Sequence, residues 1–173
     1  MKKILIAYYS RKGQNYVNGN VVDLKEGNTS IVAKEIQALT GGDLFQIETI
    51  KPYAIDYTEC TKEAKEELNQ QAFPELKETI NTEDYDVIFL GYPNWWGTYP
   101  RAVATFIKEN NFFHKTIIPF CTHEGSGMGH SVSDLKKVCD HCDVLNGMNI
   151  RGSQASHSHE MVKQYIESIK EEL

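Results

Sequence analysis

The sequence has no long hydrophobic run and no excess of basic residues. Its apolar stretches, such as Ile4–Tyr9, are much shorter than the roughly 20 residues that a membrane-spanning helix needs. Lysine and arginine together number 18, against 24 aspartates and glutamates, so the net charge is −6. This acidic balance argues against a nucleic acid or an anionic membrane as the partner.

Cysteine is scarce, with four residues in a chain of 173. The first apolar run, Ile4–Tyr9, is too short for the hydrophobic region of a secretory leader, so we predict a cytoplasmic protein with reduced thiols. Cys139 and Cys142 form an isolated C-x-x-C motif without a second ligand pair. His157 and His159 are two residues apart and project in different directions. No metal site is therefore predicted.

The two common glycine-rich nucleotide motifs are also missing. No glycine is followed by Lys-Thr or Lys-Ser, which excludes a P-loop, and no G-x-G-x-x-G follows the first predicted strand. The segment Gly125–Gly129 resembles that fingerprint superficially, but it follows a later strand and has a different third spacing. A tightly bound nicotinamide cofactor is therefore not predicted.

Apolar strands alternate with amphipathic helices along the chain. The unbroken apolar runs Ile4–Tyr9 and Val87–Leu90 are typical of strands buried on both faces of a parallel sheet. Further strands are predicted at 44–48, 115–121 and 143–148. Helices are predicted between cap candidates at 28–30 and a stop at 41–42, at 61–69 with an irregular continuation towards Ile80, at 101–109, at 131–138, and along a stripe from Met161 to Ile169.

This alternation predicts one α/β domain, residues 1–173, with five parallel strands and helices on both faces. If the two most apolar strands are central neighbours, right-handed crossovers give the strand order 2-1-3-4-5. The polar segment 11–27 interrupts this pattern. Its Asn18-Gly19 pair favours a tight turn, so we predict a hairpin-like insertion there.

Three loops should converge at the carboxyl ends of the first, third and fourth strands: 10–29, 92–99 and 122–129. The first loop ends at Asn28-Thr29-Ser30, where a helix N-terminus offers amides and hydroxyls to a phosphate, although ordinary helix capping explains these residues equally well. The second loop holds both tryptophans, Trp95 and Trp96, which either cover a flat ligand or plug the end of the sheet. A phosphate site beside an aromatic surface indicates a mononucleotide with a ring system.

On these residues the chain resembles the flavodoxin-like proteins that bind FMN, in their short-chain form. Ser10 with Gly27-Asn28-Thr29 matches the phosphate loop of that family, if the insertion divides it, and Pro93–Gly97 and Thr122–Gly129 match the two loops around the flavin ring. The resemblance implies a flavodoxin-like three-layer sandwich, and the uninterrupted fifth strand predicted at 143–148 resembles the short-chain form. It also implies FMN contacts from Ser10, Asn28, Thr29, Ser30, Pro93, Asn94, Trp95, Trp96, Gly97, Thr122, His123, Glu124, Gly125, Ser126, Gly127 and Gly129.

The third loop departs from the family, because it lacks the tyrosine that many electron-carrying flavodoxins stack on the outer flavin face. We therefore expect that face to be more open. Two functions stay open: an electron carrier that docks to a redox protein through its acidic surface, and an FMN-dependent reductase that passes electrons from NAD(P)H to a quinone or similar acceptor. A non-redox phosphate-binding signalling domain is disfavoured, because Tyr8-Tyr9-Ser10 ends the first strand without an acidic pair. We expect a monomer or weak dimer.

Overall fold

Strands and helices alternate along most of the computed structural model, which describes residues 2–139 and 141–173. The strands are β1 (Ile4–Tyr8), β2 (Gly13–Val17), β3 (Asn20–Leu24), β4 (Asp43–Gln46), β5 (Val87–Pro93), β6 (Thr116–His123), β7 (Asp143–Val144) and β8 (Met148–Arg151). The α-helices are α1 (Asn28–Thr40), α2 (Tyr57–Gln70), α3 (Arg101–Glu109), α4 (Ser131–Val138) and α5 (His159–Ser168). Short 3-10 helices cover Gly152–His157 and Lys170–Glu172. Within the described residues, no helix has both the length and the apolar character to cross a membrane.

The main sheet is parallel, with the order β4-β1-β5-β6 followed by β7 and β8, which both pair with β6. At its centre, Ile6 of β1 lies between Leu44 of β4 and Phe89 of β5. The α/β class and its parallel sheet are confirmed. The arrangement differs from the predicted order 2-1-3-4-5 at the fifth position, where two short strands replace one.

Two apolar cores cover the two faces of the sheet. Alternate residues of β1 divide between them: Leu5 and Ala7 pack in the cluster that includes Phe106 of α3. Ile6 packs in the cluster that includes Ile36 of α1 and residues of α5. Burial on both faces explains why the central strands are unbroken apolar runs in the sequence.

The uninterrupted fifth strand predicted at 143–148 is wrong, and Pro119 gives the physical reason. The carbonyl of Ile117 in β6 accepts a hydrogen bond from the Leu145 amide at 3.0 Å. Two residues further along β6, the next backbone N–H that would donate to this neighbouring strand belongs to position 119. Pro119 has no N–H, so that hydrogen bond cannot form. The chain therefore leaves the sheet over 145–147, with Gly147 in the left-handed region at φ +75°, and pairing resumes at Met148.

The second helix also differs from its prediction. It begins at Tyr57, four residues before the predicted start at Thr61, because the Asp56 carboxylate caps it by accepting a hydrogen bond from the Glu59 amide at 2.9 Å. It ends at Gln70, and Gln71 adopts a left-handed φ of 50°. The expected continuation towards Ile80 is therefore wrong, and the chain after Gln71 is not helical.

Strands β2 and β3 form a separate two-stranded antiparallel sheet between β1 and α1. Asn18 and Gly19 both have positive φ, 49° and 86°, as a tight two-residue hairpin turn requires. The hairpin therefore lies outside the main sheet and directly precedes α1 in the chain.

Candidate functional site

A cavity of about 310 Å³ lies at the carboxyl edge of the sheet, where β5 and β6 end and α1 begins. Its volume is at the lower end of the range typical of small-molecule sites. Its lining consists of Arg11, Asn15, Tyr16, Asn28, Thr29, Tyr57, Pro93, Asn94, Trp95, Thr122, His123, Glu124, Ser126 and Gly152. Three separate loops and the hairpin therefore meet at one place.

The N-terminus of α1 forms the polar end of this cavity. Asn28, Thr29 and Ser30 are the first three residues of the helix, so their amides have no partner within it. The Ser30 amide donates a hydrogen bond to Ser10 Oγ at 3.0 Å. The amides of Asn28 and Thr29 remain as donors at the positive end of the helix dipole, which favours an anion.

A buried hydroxyl pair joins α1 to β6 behind the cavity. Thr29 Oγ1 lies 2.7 Å from Thr122 Oγ1, and their residues are 1% and 4% exposed. This bond fixes the helix N-terminus relative to the end of the central strand. This part of the polar wall is therefore positioned before any ligand binds.

Only one of the two tryptophans lines the cavity. Trp95 is half-buried, and its ring meets those of Tyr9 and Tyr53 edge-on, each at a centroid distance of 5.2 Å. Trp96 turns away at φ 57° and is 49% exposed, and its indole nitrogen donates to the Thr61 carbonyl at 2.9 Å. The adjacent tryptophans point apart because the two-residue turn at Trp96-Gly97 reverses the chain between Trp95 and Thr98.

Asn94 holds the aromatic loop against the third loop. Its Oδ1 accepts from the Gly97 amide and its Nδ2 donates to the Gly127 carbonyl, both at 2.9 Å. Gly129 packs so closely on the Gly97 carbonyl that a Cβ there would collide with it. Gly129 therefore allows the two loops to approach, and none of these three glycines lines the cavity.

The third loop contributes polar side chains rather than rings. Thr122, His123, Glu124 and Ser126 line the cavity, whereas Gly125 donates its amide to His123 Nδ1 at 2.9 Å from outside the lining. Because Nδ1 accepts that bond, the neutral ring carries its proton on Nε2, which lies 2.9 Å from Asn149 Oδ1. The imidazole is therefore held in one orientation.

Glu124 has a carboxylate oxygen without a partner. Its Oε2 accepts from the Asn18 amide at 3.1 Å and lies 3.7 Å from Arg151 Nε. Its Oε1 is buried and is the only buried side-chain polar atom without a hydrogen-bond partner within residues 2–139 and 141–173. Because Gly152 has no side chain, this carboxylate and the Asn28 side-chain amide fit against its backbone, where a Cβ would collide with both. A buried acceptor without a donor is costly, so a ligand donor at this point would relieve it.

Of the sixteen residues that the sequence assigned to the site, seven lie outside the cavity lining. They are Ser10, Ser30, Trp96, Gly97, Gly125, Gly127 and Gly129. Ser10 and Ser30 instead line a neighbouring depression of about 700 Å³. The Ser10 hydroxyl is oriented by the hydrogen bond that it accepts from the Ser30 amide. The Ser30 hydroxyl is oriented by the hydrogen bond that it donates to the Glu26 carboxylate at 2.6 Å.

Sequence reasoning missed five lining residues: Arg11, Asn15, Tyr16, Tyr57 and Gly152. Tyr16 comes from the hairpin and Tyr57 from the start of α2, and their rings stack at 6.2 Å with an interplanar angle of 25°. The Asn18-Gly19 turn fixed the hairpin register, but no local pattern showed that the hairpin folds back over the cavity.

Two cysteines and two tyrosines near the cavity are held neutral by burial. Burial raises the pKa of Cys121 to about 12 and that of Cys60 to about 11, so both thiols are protonated at neutral pH. Burial also raises the pKa values of Tyr9 and Tyr57. These four groups are therefore protonated near neutral pH, and neither thiol is a nucleophile there.

A family model described as flavodoxin matches residues 3–169. The chain belongs to the flavodoxin family. A search of curated proteins found no match. Among solved structures, this flavodoxin-family protein is similar to a candidate flavoprotein from Bacteroides eggerthii DSM 20697, with 28% identity, a TM-score of 0.79, and 98% of this chain and 99% of the other covered.

Two further structures have the same fold. A candidate flavoprotein from Bacteroides uniformis ATCC 8492 is 26% identical, with a TM-score of 0.76 over 96% of this chain and 98% of the other. A flavoprotein from Lactobacillus acidophilus NCFM, solved in complex with FMN, is 21% identical, with a TM-score of 0.66 over 92% of this chain and 99% of the other. The flavodoxin fold thus extends over nearly the whole chain.

Proposed function

We propose that this flavodoxin-family protein binds FMN in the 310 Å³ cavity and transfers electrons through the flavin as an electron carrier. The observation that carries the proposal is the combination of donors at the α1 N-terminus with the Trp95 ring in one cavity. A phosphate and a flat apolar ring on one ligand match these two features. The complex of the Lactobacillus acidophilus flavoprotein with FMN supports this choice of ligand.

The residues present fit each part of FMN. The amides of Asn28 and Thr29 suit the phosphate, and Trp95 offers an apolar face to the ring. The unpaired Oε1 of Glu124 would accept a hydrogen bond from a ribityl hydroxyl or a ring N–H. Bound there, FMN would supply one- and two-electron redox chemistry, which the protein side chains lack.

The chain itself would set how readily the cofactor takes electrons. Glu124 brings a carboxylate to the cavity, and the whole chain carries a net charge of −6. Negative charge near the ring disfavours a second electron that leaves the flavin anionic. We therefore expect a low potential for full reduction, as suits a donor of single electrons.

A titration with FMN tests the binding. We expect quenching of flavin fluorescence on binding, together with weaker binding of riboflavin, which lacks the phosphate that the α1 N-terminus would hold. Equal affinity for FMN and riboflavin would contradict the binding of the phosphate at the α1 N-terminus. A protein that leaves FMN fluorescence unchanged at any concentration would overturn the proposed function.

An FMN-dependent NAD(P)H–quinone reductase is the second candidate, and the neighbouring 700 Å³ depression favours it. Lys12 and Lys25 line this depression, and Arg11 lines both it and the cavity. Lys34 and Lys77 also line it, each paired with a glutamate of the same lining, Glu26 and Glu48 respectively. Cationic side chains beside a flavin site suit the phosphates of a dinucleotide. Steady NADPH or NADH oxidation by the FMN-loaded protein with a quinone would establish the reductase, and reduction without such turnover would leave the carrier.

A further inference from the structure

We propose that Tyr16 of the hairpin is a second aromatic contact of the flavin ring, in addition to Trp95. The third loop contains no Tyr, Trp or Phe between Thr122 and Gly129. The aromatic residues that line the cavity are Tyr16, Tyr57 and Trp95. The inference rests on the proposed function, because it needs a planar ligand in this cavity.

Tyr16 is the ring with apolar area left to bury. It is 44% exposed, and its ring stacks on that of Tyr57. Tyr57 is half-buried and backs it from the start of α2. A planar ligand against Tyr16 would remove aromatic surface from water and extend the existing stack.

Hydrogen bonds at three places hold the hairpin over the cavity: its base, its first strand and its tip. At its base, the Arg11 guanidinium donates to the carbonyls of Ala54 and Ile55, both at 2.9 Å. In its first strand, Gln14 Oε1 accepts from the Tyr57 amide at 2.8 Å.

At its tip, the hairpin reaches the third loop, where the Asn18 amide donates to Glu124 Oε2 at 3.1 Å. Because Tyr16 lies between the base and the tip, its ring is positioned before the ligand arrives. A ring held in place beforehand loses little entropy on binding, so its contact contributes more to affinity.

The hairpin also provides a matched control. Val21 pairs directly with Tyr16 in the β2–β3 register, so the two side chains project from the same face. Val21 is 51% exposed and lies outside the cavity lining. Val21→Ala therefore weakens the same cross-strand pair without removing a ring from the cavity.

The test is FMN affinity in four variants: Tyr16→Ala, Tyr16→Leu, Tyr16→Phe and Val21→Ala. We expect Tyr16→Ala to raise the Kd for FMN by roughly 5- to 150-fold, the range typical of one lost stacking contact. Tyr16→Leu should lose most of the same affinity, because it keeps apolar bulk but has no flat face. Tyr16→Phe and Val21→Ala should stay within about twofold of the parent protein.

Two outcomes would overturn the inference while leaving FMN binding intact. One is an unchanged Kd in Tyr16→Ala, and the other is parental affinity in Tyr16→Leu. If the parent protein itself does not bind FMN, it is the proposed function that fails. If circular dichroism shows that Tyr16→Ala is unfolded, the comparison of Tyr16→Leu with Tyr16→Phe decides the matter.

Discussion

At the scale of single residues, Trp95 and Trp96 are adjacent in the sequence, but only the Trp95 ring lines the cavity. Replacing Trp95 by Ala should weaken FMN binding by about 1–3 kcal/mol, because the variant loses one apolar face of the cavity. Trp96→Ala is the matched control, since that ring lies outside the cavity and contacts α2. Fluorescence titration of both variants makes the comparison, and equal losses would contradict the assignment of Trp95.

Glu124 gives a second prediction at this scale. Glu124→Gln keeps the size of the side chain and removes its negative charge from the cavity. The midpoint potential of bound FMN should therefore rise, on the order of tens of millivolts. Potentiometric titration measures it, with Glu171→Gln as the control at an exposed position in the C-terminal 3-10 helix. An unchanged midpoint potential would show that the Glu124 charge does not act on the flavin.

The chemistry of the site was more predictable than the direction of its side chains. Trp95 and Thr122 lie at the ends of the parallel strands β5 and β6, and Asn28 begins the helix that follows β1 after the hairpin. Their meeting at one edge could therefore be predicted from the strand order. The choice between adjacent tryptophans depended on the positive φ of Trp96, an unusual conformation for a bulky residue that no sequence pattern marks. Tyr16 was missed because its approach to Tyr57 is a tertiary contact.

At the scale of elements, the break between β7 and β8 depends on Gly147. An alanine there would adopt an unfavourable φ near +75° and would also collide with the Pro119 carbonyl. Gly41→Ala is the matched control, because Gly41 has a similar φ of +72° and no atom within 4 Å of the added Cβ. We expect about 1 kcal/mol of destabilisation at Gly41 and clearly more at Gly147. Denaturant unfolding measures both, and equal values would refute the collision.

Helices whose bounds follow from the pattern of their own residues were predicted well. Helix α3 at Arg101–Glu109 and helix α4 at Ser131–Val138 have the bounds that their apolar spacing predicts. The fifth strand was not predictable, because its interruption depends on a proline in the strand beside it. The start of α2 was missed because the cap Asp56 precedes a turn of Tyr57 and other residues with modest helix propensity.

At the scale of the whole molecule, the net charge of −6 makes a prediction about partners. Electron transfer with a redox protein that docks through a basic surface should slow as ionic strength rises, because salt screens their attraction. Stopped-flow measurement of flavin reduction at several salt concentrations provides the test. Reduction by a small uncharged reductant is the control and should be independent of salt. An identical salt response for both reductants would contradict docking by charge.

The bond from the Ser30 amide to Ser10 Oγ spans 20 residues, and the hairpin lies between its two ends. This gives the folding pathway an order. The first turn of α1 cannot gain its cap until Ser10 and Ser30 meet, and bringing them together costs loop-closure entropy. We expect the local Asn18-Gly19 turn to form early and to shorten that loop. A substitution that slows the turn should therefore delay completion of the helix end that is proposed to hold the phosphate.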